Sequence, residues 1–378
     1  MSSHSPHGQS SLRTVQVLGG GNAGSSAHVR SLAAGLVARG VRVTVCAPGE
    51  ADDTYDFTGA GAAHVHVPRS SDPGSVAALR AACTDADLVH AHGLHASFRA
   101  VLALSGRRTP LIVTWHNRAH AEGARAHLLR LLERRVARTA TVVLGTTSDL
   151  VDRARRTGAR DARLAAVALP RPRRTEGIEG IEESERPSSK LRAELGAIGR
   201  PLFTAVGSLD GHRGHDLLLD AARVWRGLDP VPLVVVAGEG SQRAELQRRI
   251  EDEELPVRLL GRRDDVSELL AAADLALLPG GEESRSVLAQ EALHARVPLV
   301  AALTGGIREL VGDAAELVPP HEPGAFAAAA VRLLEDPERA EHLRDLGTRQ
   351  AAGWPTEDET VAQVLSVYDE LTQPQPMI

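Results

Sequence analysis

The chain repeats one rhythm, strand then glycine-rich turn then helix, and that rhythm limits the folds open to it. Thr14 to Leu18 is a short apolar run followed by Gly19-Gly20-Gly21 and Gly24. From His28 to Arg39 the residues Val29, Leu32, Ala33, Leu36 and Val37 return at helical spacing. Gly40 ends that helix, and Val41 to Cys46 reads as the next strand. Further strands are expected at Leu88 to Ala91, Leu111 to Trp115 and Thr141 to Leu144. Alternation of this kind implies an α/β fold with a parallel sheet covered on both faces.

The rhythm breaks between Arg171 and Arg200, where Glu- and Ser-rich sequence runs without periodicity. That stretch reads as an interdomain linker or an exposed insertion. The pattern then restarts with strands expected at Leu202 to Val206, Leu233 to Ala237, Val257 to Leu260, Asp274 to Leu278 and Pro298 to Ala302. A helix over Asp216 to Arg226 falls among them. The expected organisation is a disordered tail over 1–12, a first domain over 13–172, a linker over 173–198 and a second domain over 199–355. A helix within 356–378, with Val361, Val364, Leu365 and Tyr368 on one face, is expected to return to the first domain.

A chain of 378 residues has room for two such domains. Only 2% of its residues are aromatic, so the cores must be built from Leu, Val and Ala. A net charge of −6 argues against a general nucleic-acid binder. Cys46 and Cys83 form no disulfide framework and read as small core residues of a reducing compartment. No stretch approaches the roughly 20 apolar residues of a membrane span, and Met1 to Ser11 lacks the apolar core of a signal peptide. A cytoplasmic protein is expected.

The chemistry concentrates after the Asp274 to Leu278 strand. Pro279-Gly280-Gly281 ends it, and Glu283-Ser284-Arg285-Ser286-Val287-Leu288-Ala289-Gln290-Glu291 leads into a helix. Glu283 and Glu291 thus stand eight positions apart, one in a loop and one a turn or two into a helix. In an open α/β sheet such a loop lies at the carboxyl end of a strand, where ligands bind. The N–H groups of a helix start attract phosphate. Taken alone, the pair could equally be a solvated helix face.

This arrangement resembles the E-x7-E motif of retaining glycosyltransferases of the GT-B architecture, the large family-4-like group that includes sucrose synthases and many bacterial mannosyl- and N-acetylglucosaminyltransferases. Other segments match that family in order. They are Gly24 to Val29 with Leu32-Ala33 and Arg39-Gly40, then Asp87 to Gly93, then Val113 to Asn117. Val206 to Leu209 with Arg213-Gly214, Gly238 to Ser241 and Gly305 to Val311 follow. The resemblance runs from about Val15 to Tyr368.

It implies two Rossmann-like domains facing a cleft and transfer of a hexose from a UDP- or GDP-linked sugar to a cell-envelope glycan, lipid or small molecule. By resemblance, Glu283 lies against the hexose and Glu291 takes the ribose hydroxyls. The N–H groups from Arg285 to Leu288, with Ser284, Ser286 and Val287, meet the phosphates and sugar. Arg213 supplies a cation at the diphosphate, Gly207 and Gly240 form donor-side turns, and Gly24 allows close backbone approach. His116 contacts the transferred sugar; read without the resemblance, it could be a structural histidine. The resemblance implies no obligatory metal, although His90, His92 and His95 have zinc-like spacing.

Two departures from the family stand out. Ser208 occupies a position where the family has Arg, and Arg285-Ser286 replaces Phe-Gly. The expectation is that Arg285 supplies the cation Ser208 lacks. A non-catalytic binder of a nucleotide sugar or protein partner stays open, as do a nucleotide-sugar epimerase and a disaccharide phosphorylase. Finally, residues 118–138 carry six arginines interrupted by Leu128, Leu129, Leu131 and Leu132. Such a helix could lie on the inner face of an anionic membrane, or be a solvated helix whose leucines pack on the sheet.

Overall fold

The computed structural model describes residues 11–19, 23–118, 123–168, 187–280 and 285–372. Glu283 and Ser284, most of the interdomain stretch and the expected N-terminal tail through Ser10 lie outside these residues. The chain divides into two compact units, residues 1–170 with 355–378, and residues 171–354.

The first unit alternates strand and helix. It runs β1 (Arg13–Leu18), α1 (Ala23–Ala38), β2 (Arg42–Ala47), α2 (Gly49–Tyr55), β3 (Ala63–His66), α3 (Pro73–Ala82), β4 (Leu88–His92) and α4 (Leu94–Ala103). It continues with β5 (Leu111–Trp115), α5 (Gly123–Thr139), β6 (Val142–Gly145), α6 (Ser148–Thr157) and β7 (Ala162–Leu164). The seven strands form one parallel sheet in the order β3-β2-β1-β4-β5-β6-β7. Val17, Val89, Val113 and Val143 face one apolar layer, and Val43, Val45, Ile112 and Leu144 face the other.

The second unit runs α7 (Pro187–Leu195), β8 (Leu202–Val206), α8 (His215–Trp225), β9 (Leu233–Ala237), α9 (Arg243–Asp252), β10 (Val257–Gly261) and α10 (Val266–Ala272). It continues with β11 (Leu275–Leu278), α11 (Val287–His294), β12 (Leu299–Ala302), α12 (Ile307–Val311), β13 (Glu316–Val318), α13 (Pro323–Glu335) and α14 (Pro337–Ala352). Its parallel sheet has the order β10-β9-β8-β11-β12-β13. The linker reading of 173–198 needs correction at its end. Leu191 and Leu195, one helical turn apart, bury α7 against Leu202, Leu233 and Val235 of the second sheet.

The chain then returns to the first unit. α15 (Glu357–Thr372) packs on α1, and a Cβ on Gly35 would come within 2.4 Å of Val361. Only a glycine lets the two helix backbones approach that closely. Arg39 pairs with Asp358 at 2.9 Å, and Arg163 pairs with Glu370 at 2.7 Å. Val361, Val364, Val367 and Tyr368 bury the inner face of the helix.

Strand order reverses between β1 and β4 in the first sheet and between β8 and β11 in the second. These are the switch points outside which ligands bind in open α/β sheets.

Candidate active site

At the second switch point the loops after β8, β9 and β11 press on one another through glycines. Gly207 N–H donates to Ala237 at 3.0 Å, and Leu209 N–H donates to Glu239 at 2.9 Å. A Cβ on Gly238 would fall 1.8 Å from the Gly207 carbonyl oxygen. One on Gly240 would fall 2.4 Å from Leu209, and one on Gly214 would fall 2.6 Å from Pro279. Gly238 and Gly240 therefore have a packing reason to be glycine. Gly207 differs: its Cβ direction is open, with nothing within 4 Å.

Into this frame the chain brings two arginines. Arg213 closes a 3-10 turn over Gly211–Arg213, and its Nε donates to Ser208 Oγ at 3.2 Å. Arg285 stands immediately before Ser286, the N-cap of α11. Its Nε and Nη2 are buried with no hydrogen-bond partner among the described residues. Burial pulls its pKa down, and the negative charge of Glu309 opposes that shift. Buried donors are nearly always satisfied, so a guanidinium held this way is a place prepared for an acceptor.

Ser286 has a local task that the sequence reading gave to ligand contact. It is 3% exposed, and its Oγ accepts from Ala289 N–H at 3.3 Å. That cap leaves Val287 and Leu288, the first two helical residues, without an intrahelical acceptor for their N–H groups. Glu291 lies on the same helix. Burial alone raises its carboxyl pKa, and none of the ion pairs among the described residues involves it. A desolvated carboxylate without a cation is suited to accept hydroxyl hydrogen bonds.

The first switch point has different chemistry. Gly24 lies in the first turn of α1. His28 of α1, His92 at the end of β4 and His116 just after β5 come together there. Their ring centroids are 5.4 to 5.8 Å apart. His92 Nδ1 lies 3.3 Å from His116 Nε2. On the far side, His92 Nε2 lies 3.0 Å from Gln16 Oε1. Gln16 Nε2 donates to the Tyr368 hydroxyl at 3.0 Å, which stands 2.7 Å from His90 Nδ1. His90 Nε2 lies 2.7 Å from Thr114 Oγ1.

Burial pushes His90 down to about 3 and holds His92 and His116 well below the ordinary imidazole range. These three imidazoles are therefore neutral hydrogen-bonding groups at pH 7. The zinc-like trio of the sequence reading does not assemble, because His95 is exposed on α4 while His90 bonds Tyr368 and Thr114. The three histidines that do gather offer ligand atoms within 4.8 Å of one another. A tetrahedral zinc at 2.0–2.1 Å holds its nitrogens about 3.4 Å apart. The His92–His116 spacing meets that figure, but an N–H···N hydrogen bond accounts for it equally well.

Of the residues singled out in the sequence, His116 and Gly207 directly follow strands, Arg213 lies in the 3-10 turn after β8, Arg285 precedes α11 and Glu291 lies within α11. It missed Gln16 and Tyr368. A glutamine inside the apolar run Val15-Gln16-Val17 was the available signal.

Comparison with known proteins gives the wider frame. A family described as "Glycosyl transferase 4-like domain" matches residues 23–170, and one described as "Glycosyl transferases group 1" matches residues 188–350. The D-inositol 3-phosphate glycosyltransferase of Thermomonospora curvata is 32% identical over 44% of this chain and 42% of its own length. The alpha-D-kanosaminyltransferase of Streptomyces kanamyceticus is 28% identical over 63% of each chain. The matched part thus spans less than two thirds of these two relatives. Among solved structures, Anabaena Alr3699/HepE in complex with UDP-glucose matches with a TM-score of 0.77 at 21% identity, over 94% of this chain and 100% of that one. Sucrose-phosphate synthase from Thermosynechococcus elongatus matches with a TM-score of 0.74 at 19% identity, over 96% of this chain and 99% of that one. At such identities the likeness is one of fold. With both units matched, the first as a 4-like domain and the second as a group 1 domain, the chain belongs to the group 1 glycosyltransferases and has the GT-B architecture.

Proposed function

We propose that the protein is a retaining glycosyltransferase that moves a hexose from a nucleoside-diphosphate sugar to a small-molecule, lipid or envelope-glycan acceptor. The observation that carries this reading is Arg285, a buried guanidinium just before α11 whose Nε and Nη2 have no hydrogen-bond partner among the described residues. A departing nucleoside diphosphate gains negative charge as the glycosidic bond breaks, and preorganised donors and cations stabilise that charge. Arg285, Arg213 and the first N–H groups of α11 would supply them, with no resident metal required. Glu291 would hold the ribose, Gly207 would let the base or ribose approach the backbone, and His116 would meet the transferred sugar. Glu283 and Ser284 complete the expected sugar contacts.

A uridine donor is favoured because the Anabaena HepE structures hold UDP and UDP-glucose. The name of the inositol-phosphate relative favours a cyclitol phosphate acceptor, and that of the kanosaminyl relative favours an amino sugar as the transferred group. On α5, Leu128 is 56% exposed and Leu131 is 52% exposed, while Leu129 and Leu132 are half-buried. Exposed leucines beside Arg125, Arg130, Arg134 and Arg135 favour peripheral contact with an anionic inner membrane face. Sedimentation with vesicles that shows no dependence on anionic lipid would remove that part of the reading.

The central test is calorimetric titration of UDP into wild type and Arg285→Ala. Loss of one charge-assisted contact at a diphosphate is expected to weaken binding about 10- to 100-fold. Unchanged affinity would overturn the assignment of Arg285. Release of free nucleoside diphosphate only when acceptor is present separates a transferase from an epimerase, which converts donor alone, and from a non-catalytic binder.

A further inference from the structure

We infer that Tyr368 and Gln16 are positioning residues that fix the tautomer His116 presents, acting through His92. The inference rests on the reading of His116 as a sugar contact only for its effect on rate. The hydrogen-bond chain itself stands on geometry. Gln16 sits on β1 and is fully buried; its Nε2 donates to the Tyr368 hydroxyl at 3.0 Å. Its Oε1 is thereby turned to His92 Nε2, 3.0 Å away, and an amide oxygen can only accept. His92 Nε2 must therefore carry the proton. A neutral imidazole has one N–H, so His92 Nδ1 holds a lone pair. His116 Nε2, 3.3 Å from that atom, then donates to it. His116 is left with its proton on Nε2 and a bare Nδ1.

The other branch agrees. The Tyr368 hydroxyl, having accepted from Gln16, donates to His90 Nδ1 at 2.7 Å, and His90 Nε2–H donates to Thr114 Oγ1 at 2.7 Å. Turning the Gln16 amide over would reverse every donor in both branches at once. Its orientation and the tautomer of His116 are consequently one variable. Burial keeps His90, His92 and His116 neutral, which permits a two-tautomer logic to operate at physiological pH. The second anchor of the amide is weaker, with Gln16 Nε2 at 3.5 Å from Thr14 Oγ1. Tyr368, brought to β1 by the helix that follows the second unit, joins the two branches, so that one amide orientation sets all three rings.

The test is long-range ¹H–¹⁵N spectroscopy of the histidine rings in the full chain at pH 7. Wild type is expected to show His116 as a single Nε2–H tautomer. Gln16→Leu removes both the donor and the acceptor and should give a mixture; Tyr368→Phe should shift the population the same way. A far-UV circular dichroism spectrum unchanged from wild type would report that each variant is folded. A His116 tautomer identical in wild type, Gln16→Leu and Tyr368→Phe would overturn the inference. Steady-state kinetics form the second readout: Gln16→Leu should lower kcat about tenfold, the worth of one aligned hydrogen bond, with donor KM unchanged. A tautomer that shifts while kcat does not would keep the hydrogen-bond chain and instead refute sugar contact by His116.

Discussion

The two sheets reverse strand order at equivalent places, β1 beside β4 and β8 beside β11, yet the two crevices hold opposite chemistry. In the first, histidines are satisfied by one another and by Gln16 and Tyr368, and burial keeps them uncharged. In the second, Arg285 keeps donors with no partner among the described residues, and Glu291 is desolvated and forms none of the ion pairs among them. Topology provides a place outside the strand ends, and the side chains decide what it does. A satisfied neutral cluster orients a polar ligand, whereas an unsatisfied charged one waits for an anion.

The contrast is most easily broken at the frame of the second crevice. Gly238→Ala puts a methyl group 1.8 Å from the Gly207 oxygen at a φ of +155°. A loss on the order of 3 kcal/mol or more is expected, together with nucleotide binding. Urea unfolding would measure it, and an unaltered midpoint would mean that the loops after β8 and β9 do not pack as described.

Acid should separate the units next. Burial holds His90, His92 and His116 neutral in the first unit, and lowers the pKa of His215 in the second. Their folded pKa values lie below those of the unfolded chain, so unfolding takes up protons. Stability is then full above the ordinary imidazole range and is lost as pH falls below about 6.5. Hydrogen exchange read by mass spectrometry is expected to show β1, β4 and β5 losing protection before β8 and β11. Equal loss in both sheets would contradict the neutral cluster.

The smallest effect concerns Glu291. Burial raises its pKa, so the native state holds a proton that the unfolded chain has already lost, and stability falls as pH rises through that window. Glu291→Gln should raise the melting midpoint at neutral pH, leave it unchanged in acid and weaken nucleotide binding. A midpoint lowered at neutral pH would mean that the carboxylate is structurally paired.

The sequence made the central strands plain because burial on both faces leaves continuous apolar runs, as in Leu111 to Trp115 and Leu233 to Ala237. The edge strands β3, Ala-His-Val-His, and β7, Ala-Arg-Leu, lack that signal because part of each faces solvent. α7 was hidden by its Ser- and Glu-rich neighbours. At the site, residues that follow a strand were legible from chain order alone. The gathering of Gln16, His92, His116 and Tyr368 was not, since 352 positions separate Gln16 from Tyr368. Ser286 carried a readable capping pattern, a hydroxyl before an apolar run, that was assigned to ligand contact instead.

The helix that completes the first unit follows the second one in the chain. On a ribosome the first sheet must therefore wait while the roughly 180 intervening residues are made, about 10–40 s at ordinary elongation rates. During that interval Gln16 has no tyrosine to bond and the apolar groove on α1 that takes Val361 and Val364 is uncovered. A nascent chain that stalls within the second unit would expose this groove to chaperones and would carry an unset His116, so that synthesis of the helix doubles as the signal that the first unit is finished.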